Sequence, residues 1–170
     1  MIIVVFGLPA SGKSYFATHL ARIVNADYIN SDRVRRIMFP DRTYSTEETL
    51  SVYDEMLAQM RQKIKQHRNV VVDATFHRDE IRRKFFEAAE EVDRIIYIEV
   101  RAEELLVKER LKRSREDSEA DFDVYKKIKN KWQPLYDDHL TLHSTDDNLN
   151  AMLEKTAAHL QLMNDKRTNK

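Results

Sequence analysis

The stretch Ile2-Ile3-Val4-Val5-Phe6-Gly7-Leu8-Pro9-Ala10-Ser11-Gly12-Lys13-Ser14 decides the fold of this 170-residue chain. Ile2–Phe6 is a continuous apolar, β-branched run, the pattern of a strand buried on both faces in a parallel sheet. Gly7–Ser14 satisfies G-x-x-x-x-G-K-[ST] at every position. The segment from Ser14 to Val24 then carries Phe16, Leu20 and Ile23 at helical spacing. The chain contains two glycines, Gly7 and Gly12, and both fall in this one loop. Glycine costs entropy in regular structure and is useful where backbone must turn sharply or approach a ligand. Its confinement here marks the loop as special.

Strand, glycine loop and helix in that order make a phosphate-binding loop. The glycines let backbone N–H groups face an anion-sized concavity. The helix start adds unpaired donors and the positive end of its dipole. Pro9, Ala10 and Ser11 complete the cradle, and Tyr15 follows it. Lys13 is suited to neutralise β- and γ-phosphates, and the Ser14 hydroxyl to ligate Mg²⁺. The plain alternative is a tight strand-to-helix turn with an exposed lysine.

Working outward, strands alternate with helices. Strands are expected at Tyr28–Asn30, Val70–Asp73, Ile95–Val100 and His139–His143. Helices are expected at Asp32–Phe39, from Ser45 to about His67, at Arg78–Glu90, from Ala102 to about Arg113, at Phe122–Trp132, and after Thr145 as its cap. Ser45 and Glu48 form a capping-box pattern. This alternation predicts an α/β fold with a mostly parallel sheet in one domain, residues 1–163, with a frayed tail from Asn164. The polar, acidic segment Ser114–Asp121 reads as a loop.

Composition narrows the function classes. Hydrophobic residues make up 42% and charged residues 34%, a globular balance. The opening apolar run is too short to span a bilayer and has no signal-peptide pattern. With no cysteine, disulfides and thiolate metal sites are excluded. A cytoplasmic location is expected. Basic and acidic residues balance at 29 each, so net charge lends no support to nucleic-acid binding, although a local basic channel is compatible with it. The six histidines show no metal-binding spacing.

Val70-Val71-Val72-Asp73 is an apolar strand ending in an acid. Beside a phosphate loop, such an acid organises Mg²⁺; otherwise it caps the turn through Ala74 and Thr75. With these residues in hand, the chain resembles the P-loop kinases of the zeta-toxin, chloramphenicol phosphotransferase and polynucleotide 5′-hydroxyl kinase group, with gluconate kinase more distant. The resemblance rests on GLPASGKS (7–14), INSDRVRRIM (29–38), VVDATF (71–76) and ERLKRSR (109–115). It implies a three-layer P-loop fold whose five-stranded parallel sheet runs in the order 2-3-1-4-5. It also implies a helical lid near residues 102–121, and ATP with Mg²⁺ as cofactors.

The same resemblance makes Asp32 the candidate base for a substrate hydroxyl, against the alternative of a helix cap. It places Arg35 near the acceptor or the transferring phosphate, and Thr75 on the acceptor side. Arg110, Arg113 and Arg115 fall in the lid, with Arg110 a candidate for the nucleotide and Arg113 for catalysis. The plain alternative for these arginines is a solvated helix face paired with Glu103, Glu104 and Glu109. The segment Asn130-Lys131-Trp132-Gln133 lacks the acid of a guanine-selective motif, which favours ATP. Phe39, Arg42 and Tyr44 lie where the group binds substrate and read equally as a surface loop, while Tyr125, Trp132 and Tyr136 are expected to pack beneath the lid.

The expected activity is transfer of the γ-phosphate to a hydroxyl. The acceptor stays open among a polynucleotide 5′ end, a nucleoside, a sugar acid, an antibiotic and a peptidoglycan precursor. The competing class is an ATP-binding switch that acts on a protein partner.

Overall fold

Strand β1 (Ile2–Phe6) is fully buried, and its alternation divides the protein into two cores. Successive side chains of a strand point to opposite faces. Ile2, Val4 and Phe6 therefore enter one cluster, while Ile3 and Val5 enter the other. The structure, a computed structural model, describes residues 1–89, 95–112 and 121–168, with side chains through residue 161.

The remaining strands are β2 (Ala26–Asn30), β3 (Asn69–Ala74), β4 (Ile95–Arg101) and β5 (Leu140–His143). All pairings are parallel, in the order β2-β3-β1-β4-β5. Helices α1 (Lys13–Ile23) and α7 (Leu149–Thr168) cover one face, contributing Phe16, Ala17, Leu20 and Met152 to its core. Helices α3 (Thr46–Lys65) and α4 (Asp79–Ala89) cover the other through Val52, Met56, Met60, Ile81 and Phe85. The shorter α2 (Ser31–Met38), α5 (Glu104–Leu111) and α6 (Phe122–Asn130) complete the chain. Phe6 stacks with Trp132 at 6.2 Å, which ties the residues after α6 to the sheet. Among the described residues, no helix is long and apolar enough to cross a membrane.

Three local expectations need correction. Thr145 does not cap the last helix: α7 starts at Leu149, and the Thr145 hydroxyl donates to Asp147 at 2.9 Å. The intervening Asp146-Asp147-Asn148 forms its own turn, in which Asn148 Oδ1 accepts from the Thr145 amide at 2.9 Å. Helix α7 also continues to Thr168, past the expected start of the tail. Tyr136 does not pack under a lid; it is 92% exposed, whereas Tyr125 is buried against Ala10 and Val107. The segment 114–120, Arg113 and Arg115 lie outside the described residues.

Phe85 is fully buried and meets the Phe76 ring edge-on at 4.9 Å. Phe85→Ala is expected to lower unfolding free energy by about 3–5 kcal/mol in urea denaturation. Ile37→Ala, at a position 83% exposed, is expected to change it by less than about 0.5 kcal/mol.

Candidate active site

In this sheet the crevice opens where β1 has β3 on one side and β4 on the other, and ligands of open α/β sheets bind there, beyond the carboxyl ends of the strands. The phosphate loop leaves β1 at that point. Gly7 is required sterically: a Cβ there would lie 2.2 Å from the Val100 carbonyl oxygen of β4. Gly12 has φ 90° and forms the start of α1. A Cβ at Gly12 would meet Ser144 Oγ at 2.7 Å and Arg110 Nη1 at 3.2 Å. Ala10 also holds positive φ, at 59°. The Ser11 amide donates back to the Leu8 carbonyl at 3.2 Å, closing the loop's turn. The amides of Lys13 and Ser14 belong to the first turn of α1 and have no acceptor within the helix.

Arg110 braces the loop from α5. Its Nη1 donates to the Ala10 carbonyl at 3.3 Å and to Ser144 Oγ at 2.7 Å, and Nη2 donates to the Thr145 carbonyl at 2.8 Å. Its charge is met by Asp146 at 3.2 Å. In this arrangement Arg110 links the loop, α5 and the β5–α7 connection. Tyr15 is 64% exposed at the start of α1, with its ring 4.5 Å from that of His19.

Asp73 is fully buried on β3, paired in register with Val5 of β1 and Asn30 of β2. Its Oδ2 accepts from Tyr28 OH at 2.6 Å and from Asn30 Nδ2 at 2.7 Å. Oδ1 has no hydrogen-bond partner. An unpartnered carboxylate oxygen in the interior is costly unless a ligand or water completes it. Burial, then the Asp73 charge, push the Tyr28 phenol far up, so Tyr28 stays a donor. Tyr28 and Asn30 were not singled out in the sequence; only their register opposite β3 reveals them. Asn30 also caps α2, accepting from the Arg33 amide at 3.0 Å, so the cap is not Asp32.

Beyond the loop lies a cavity of about 510 Å³. Pro9 and Lys13 of the loop, Asp32 and Arg35 of α2, and Thr75 after β3 all line it. So do Tyr44 and Tyr53, which the fold brings from either end of the corner into α3. Five sequence candidates from three segments, Pro9 and Lys13, Asp32 and Arg35, and Thr75, thus share one space. The remaining lining includes His77 and Arg78, with Lys127 and Lys131 at the other wall. None of these four was a candidate in the sequence. Arg42 is half-buried, donating to the Pro40 carbonyl at 3.5 Å, and Phe39 packs against the core. A second, more open hollow of about 600 Å³ between α5 and α6, lined by Leu105, Leu111 and Phe122 among others, contains no phosphate-loop residue.

The walls of the cavity are held by buried charge. Arg35 forms a salt bridge to Glu48 in which both side chains are buried, and its guanidinium lies 4.8 Å from the Tyr44 ring centroid. Glu48 completes only half of the expected capping box. Its amide donates to the Ser45 hydroxyl oxygen at 3.1 Å, but its carboxylate accepts from the Thr43 amide at 2.6 Å, the Thr43 hydroxyl at 2.8 Å and the Tyr44 amide at 3.1 Å. These bonds hold Tyr44 at φ 54°. Phe76, at φ 50°, is fixed by Tyr53 OH, which accepts from its amide at 3.1 Å, and by the buried Arg82, which donates to its carbonyl at 2.7 Å. Arg82 is fully buried, and hydrophobic periodicity along α4 had no means of showing a cation on its inner face.

Positive φ at bulky residues costs about 1–3 kcal/mol each and persists only where the surroundings over-determine it. Of the non-glycine residues with positive φ, Tyr44 and Phe76 flank the cavity, Ala10 lies in the phosphate loop, and Asn25 and His67 precede β2 and β3. Burial raises the Tyr53 hydroxyl to about 12, so it keeps its proton. Burial, followed by Arg78, Lys131 and Arg82, holds the His77 imidazole down at about 4, neutral at physiological pH.

The sequence matches the family described as AAA domain (AAA_33) over residues 2–135. The chain belongs to that family, and its fold is that of a P-loop NTPase. No curated protein sequence matches it. Among solved structures it is similar to a sugar kinase from Janibacter sp., at 13% identity, TM-score 0.72 and 94% of each chain covered. It is similar to a gluconokinase from Sinorhizobium meliloti, at 16% identity, TM-score 0.65 and 95% of each chain. It is also similar to the Mycobacterium tuberculosis APS kinase in complex with AMPPNP and APS, at 15% identity and TM-score 0.69, over 94% of this chain and 96% of that one. At these identities the likeness establishes the fold.

Metal fit can be judged from the residues themselves. Among the described residues, no group of three or more His, Asp or Glu side chains is placed to hold an ion. A Mg²⁺ here would take the Ser14 hydroxyl, phosphate oxygens and water, with Asp73 Oδ1 ordering the water. The buried, unpartnered Oδ1 fits that arrangement.

Burial on its own raises the Glu48 carboxyl, but the bonds from Thr43 and Arg35 outweigh it and bring the group to about 2. A carboxyl depressed on folding stabilises the protein above its unfolded value of 4.5 and loses that contribution as pH falls towards 2. Glu48→Gln leaves the buried Arg35 unpaired and is expected to cost about 3 kcal/mol at pH 7. The deficit relative to wild type should narrow between pH 4.5 and 2, as measured by urea denaturation across pH.

Proposed function

We propose that the protein is an ATP-dependent phosphotransferase that moves the γ-phosphate to a hydroxyl acceptor. The observation that carries this reading is the single cavity lined by both Lys13 of the phosphate loop and Asp32. A hydrolytic switch does not need a carboxylate across from the phosphate loop in a cavity large enough for a second molecule. The volume lies in the range of small-molecule sites.

In this reading the amides after Gly7 and the Lys13 ammonium hold the β- and γ-phosphates. Asp32 accepts the proton of the acceptor hydroxyl as its oxygen attacks the γ-phosphorus. The new bond joins acceptor oxygen to phosphorus, the bond between the β,γ-bridging oxygen and the γ-phosphorus breaks, and ADP departs with the electron pair. The Ser14 hydroxyl and water ordered by Asp73 would hold a Mg²⁺ ion, which when bound would supply charge neutralisation at the phosphates. Tyr28 and Asn30 hold the Asp73 carboxylate in its orientation through their bonds to Oδ2. Thr75 and Arg35 line the acceptor side, Arg35 with its charge already balanced by Glu48. Arg110 shapes the loop through the Ala10 carbonyl, and Arg113 is assigned to the closing lid. Such an enzyme belongs in the cytoplasm, where its ATP is made available.

Lys13→Ala is expected to abolish ADP formation in a coupled assay with pooled hydroxyl compounds. Asp32→Asn should lower transfer by ~10²–10⁴-fold while AMPPNP still binds. Full turnover in Asp32→Asn would remove it as the base. Acceptor-independent hydrolysis that responds only to an added protein would favour the switch.

A further inference from the structure

The cavity's charge is uneven in a way that phosphotransfer alone does not require. Five cations line it, Lys13, Arg35, Arg78, Lys127 and Lys131, against one carboxylate, Asp32. Lys13 belongs to the phosphate loop, and Arg35 is already neutralised by Glu48. Arg78, Lys127 and Lys131 have no carboxylate within ion-pair distance among the described residues.

The contrast within α6 is informative. Lys126 pairs with Asp123 at 2.7 Å and Lys129 with Glu104 at 2.7 Å, and neither lines the cavity. Lys127 and Lys131, four residues apart and so on one side of the helical path, do line it and are not paired. Among the described residues, Asp123 and Glu104 thus form their ion pairs with the lysines outside the cavity, and Asp123 acts on Lys127 only from beyond ion-pair distance. Arg78 faces them from the turn before α4. His77 between these walls is kept neutral first by burial and then by Arg78 and Lys131, which reports the same positive field.

We propose that the acceptor is a small hydroxyl compound that itself carries a phosphate monoester, with Asp32 receiving the hydroxyl and Arg78, Lys127 and Lys131 receiving the phosphate. This rests on the phosphotransfer reading above and names the substrate class for the same cavity. The choice of anion follows from charge. A phosphate monoester carries about −1.5 to −2 near neutral pH with three acceptor oxygens, whereas one carboxylate would leave two of three cations unmatched. Leu50, Ile81 and Ile128 supply apolar wall for the body of the molecule. The cavity volume suits a small molecule.

The test is calorimetric titration of protein saturated with Mg²⁺ and AMPPNP, which fills the phosphate loop without turnover. Inorganic phosphate is the first probe, followed by matched pairs: ribose and ribose 5-phosphate, adenosine and 3′-AMP. Gluconate and a 5′-hydroxyl oligonucleotide complete the set. The phosphorylated member should bind at least ~10-fold more tightly than its parent, and Lys127→Gln with Lys131→Gln should remove that preference. Both lysines are exposed, and AMPPNP titration reports that the variant is folded. Equal affinity for parent and phosphorylated compound overturns the proposal. So does gluconate binding more tightly than any phosphate, or an oligonucleotide that outcompetes all of them with steep salt dependence. If AMPPNP itself fails to bind, the phosphotransfer reading has failed. Phosphate titrated into Lys13→Ala protein, with and without the two lysine changes, then still decides the cavity's specificity.

Discussion

The Val100 carbonyl closes on Gly7 so tightly that a single added carbon would overlap it. That approach exists because β1 is paired on both sides in parallel, with β3 and β4 in matching register from Ile2 onward. A strand clamped in this way has only its carboxyl end free, and the chain must leave it by a turn open to glycine alone. The loop, the start of α1 and the crevice above β3 all follow from that exit. The same register puts Asp73 level with the last residues of β1, so the carboxylate stands next to the loop with no contribution from its own local sequence.

Around this frame the protein concentrates costly features at one end of the sheet. Asp73 is buried with an unpartnered oxygen, Arg35 and Glu48 are buried as a pair, and Tyr44 and Phe76 are held in left-handed backbone. Each is destabilising in isolation and survives because neighbours over-determine it. Glu48 alone satisfies two amides, a hydroxyl and a guanidinium. A site that must hold phosphate oxygens and a hydroxyl in fixed relation needs rigid walls, because positioning supplies much of the rate in phosphoryl transfer.

Lys13, Arg78, Lys127 and Lys131 line one cavity. In the proposed reading Lys13 and the helix start address one anion, and the other three address a second. Arg110, a nucleotide candidate by sequence, bonds to Ala10, Ser144, Thr145 and Asp146 beside the loop.

What the sequence determined by itself is the content of contiguous segments. The β-branched run at Ile2–Phe6, the two glycines and the helical spacing after them specify a phosphate loop, because strand, turn and helix preferences are local. Alternating strands and helices specify a parallel sheet for the same reason. The tertiary structure alone decided everything that depends on segments meeting. Tyr28 and Asn30 became partners of Asp73 across 45 and 43 residues. Glu48 abandoned half of its capping box for Arg35, and Arg82 entered the core as a cation. Lys127 and Lys131 parted from their neighbours Lys126 and Lys129. A residue's periodicity gives its face, but which atoms lie opposite that face, and so whether its charge is neutralised or left for a ligand, is fixed only when distant strands and helices are packed together.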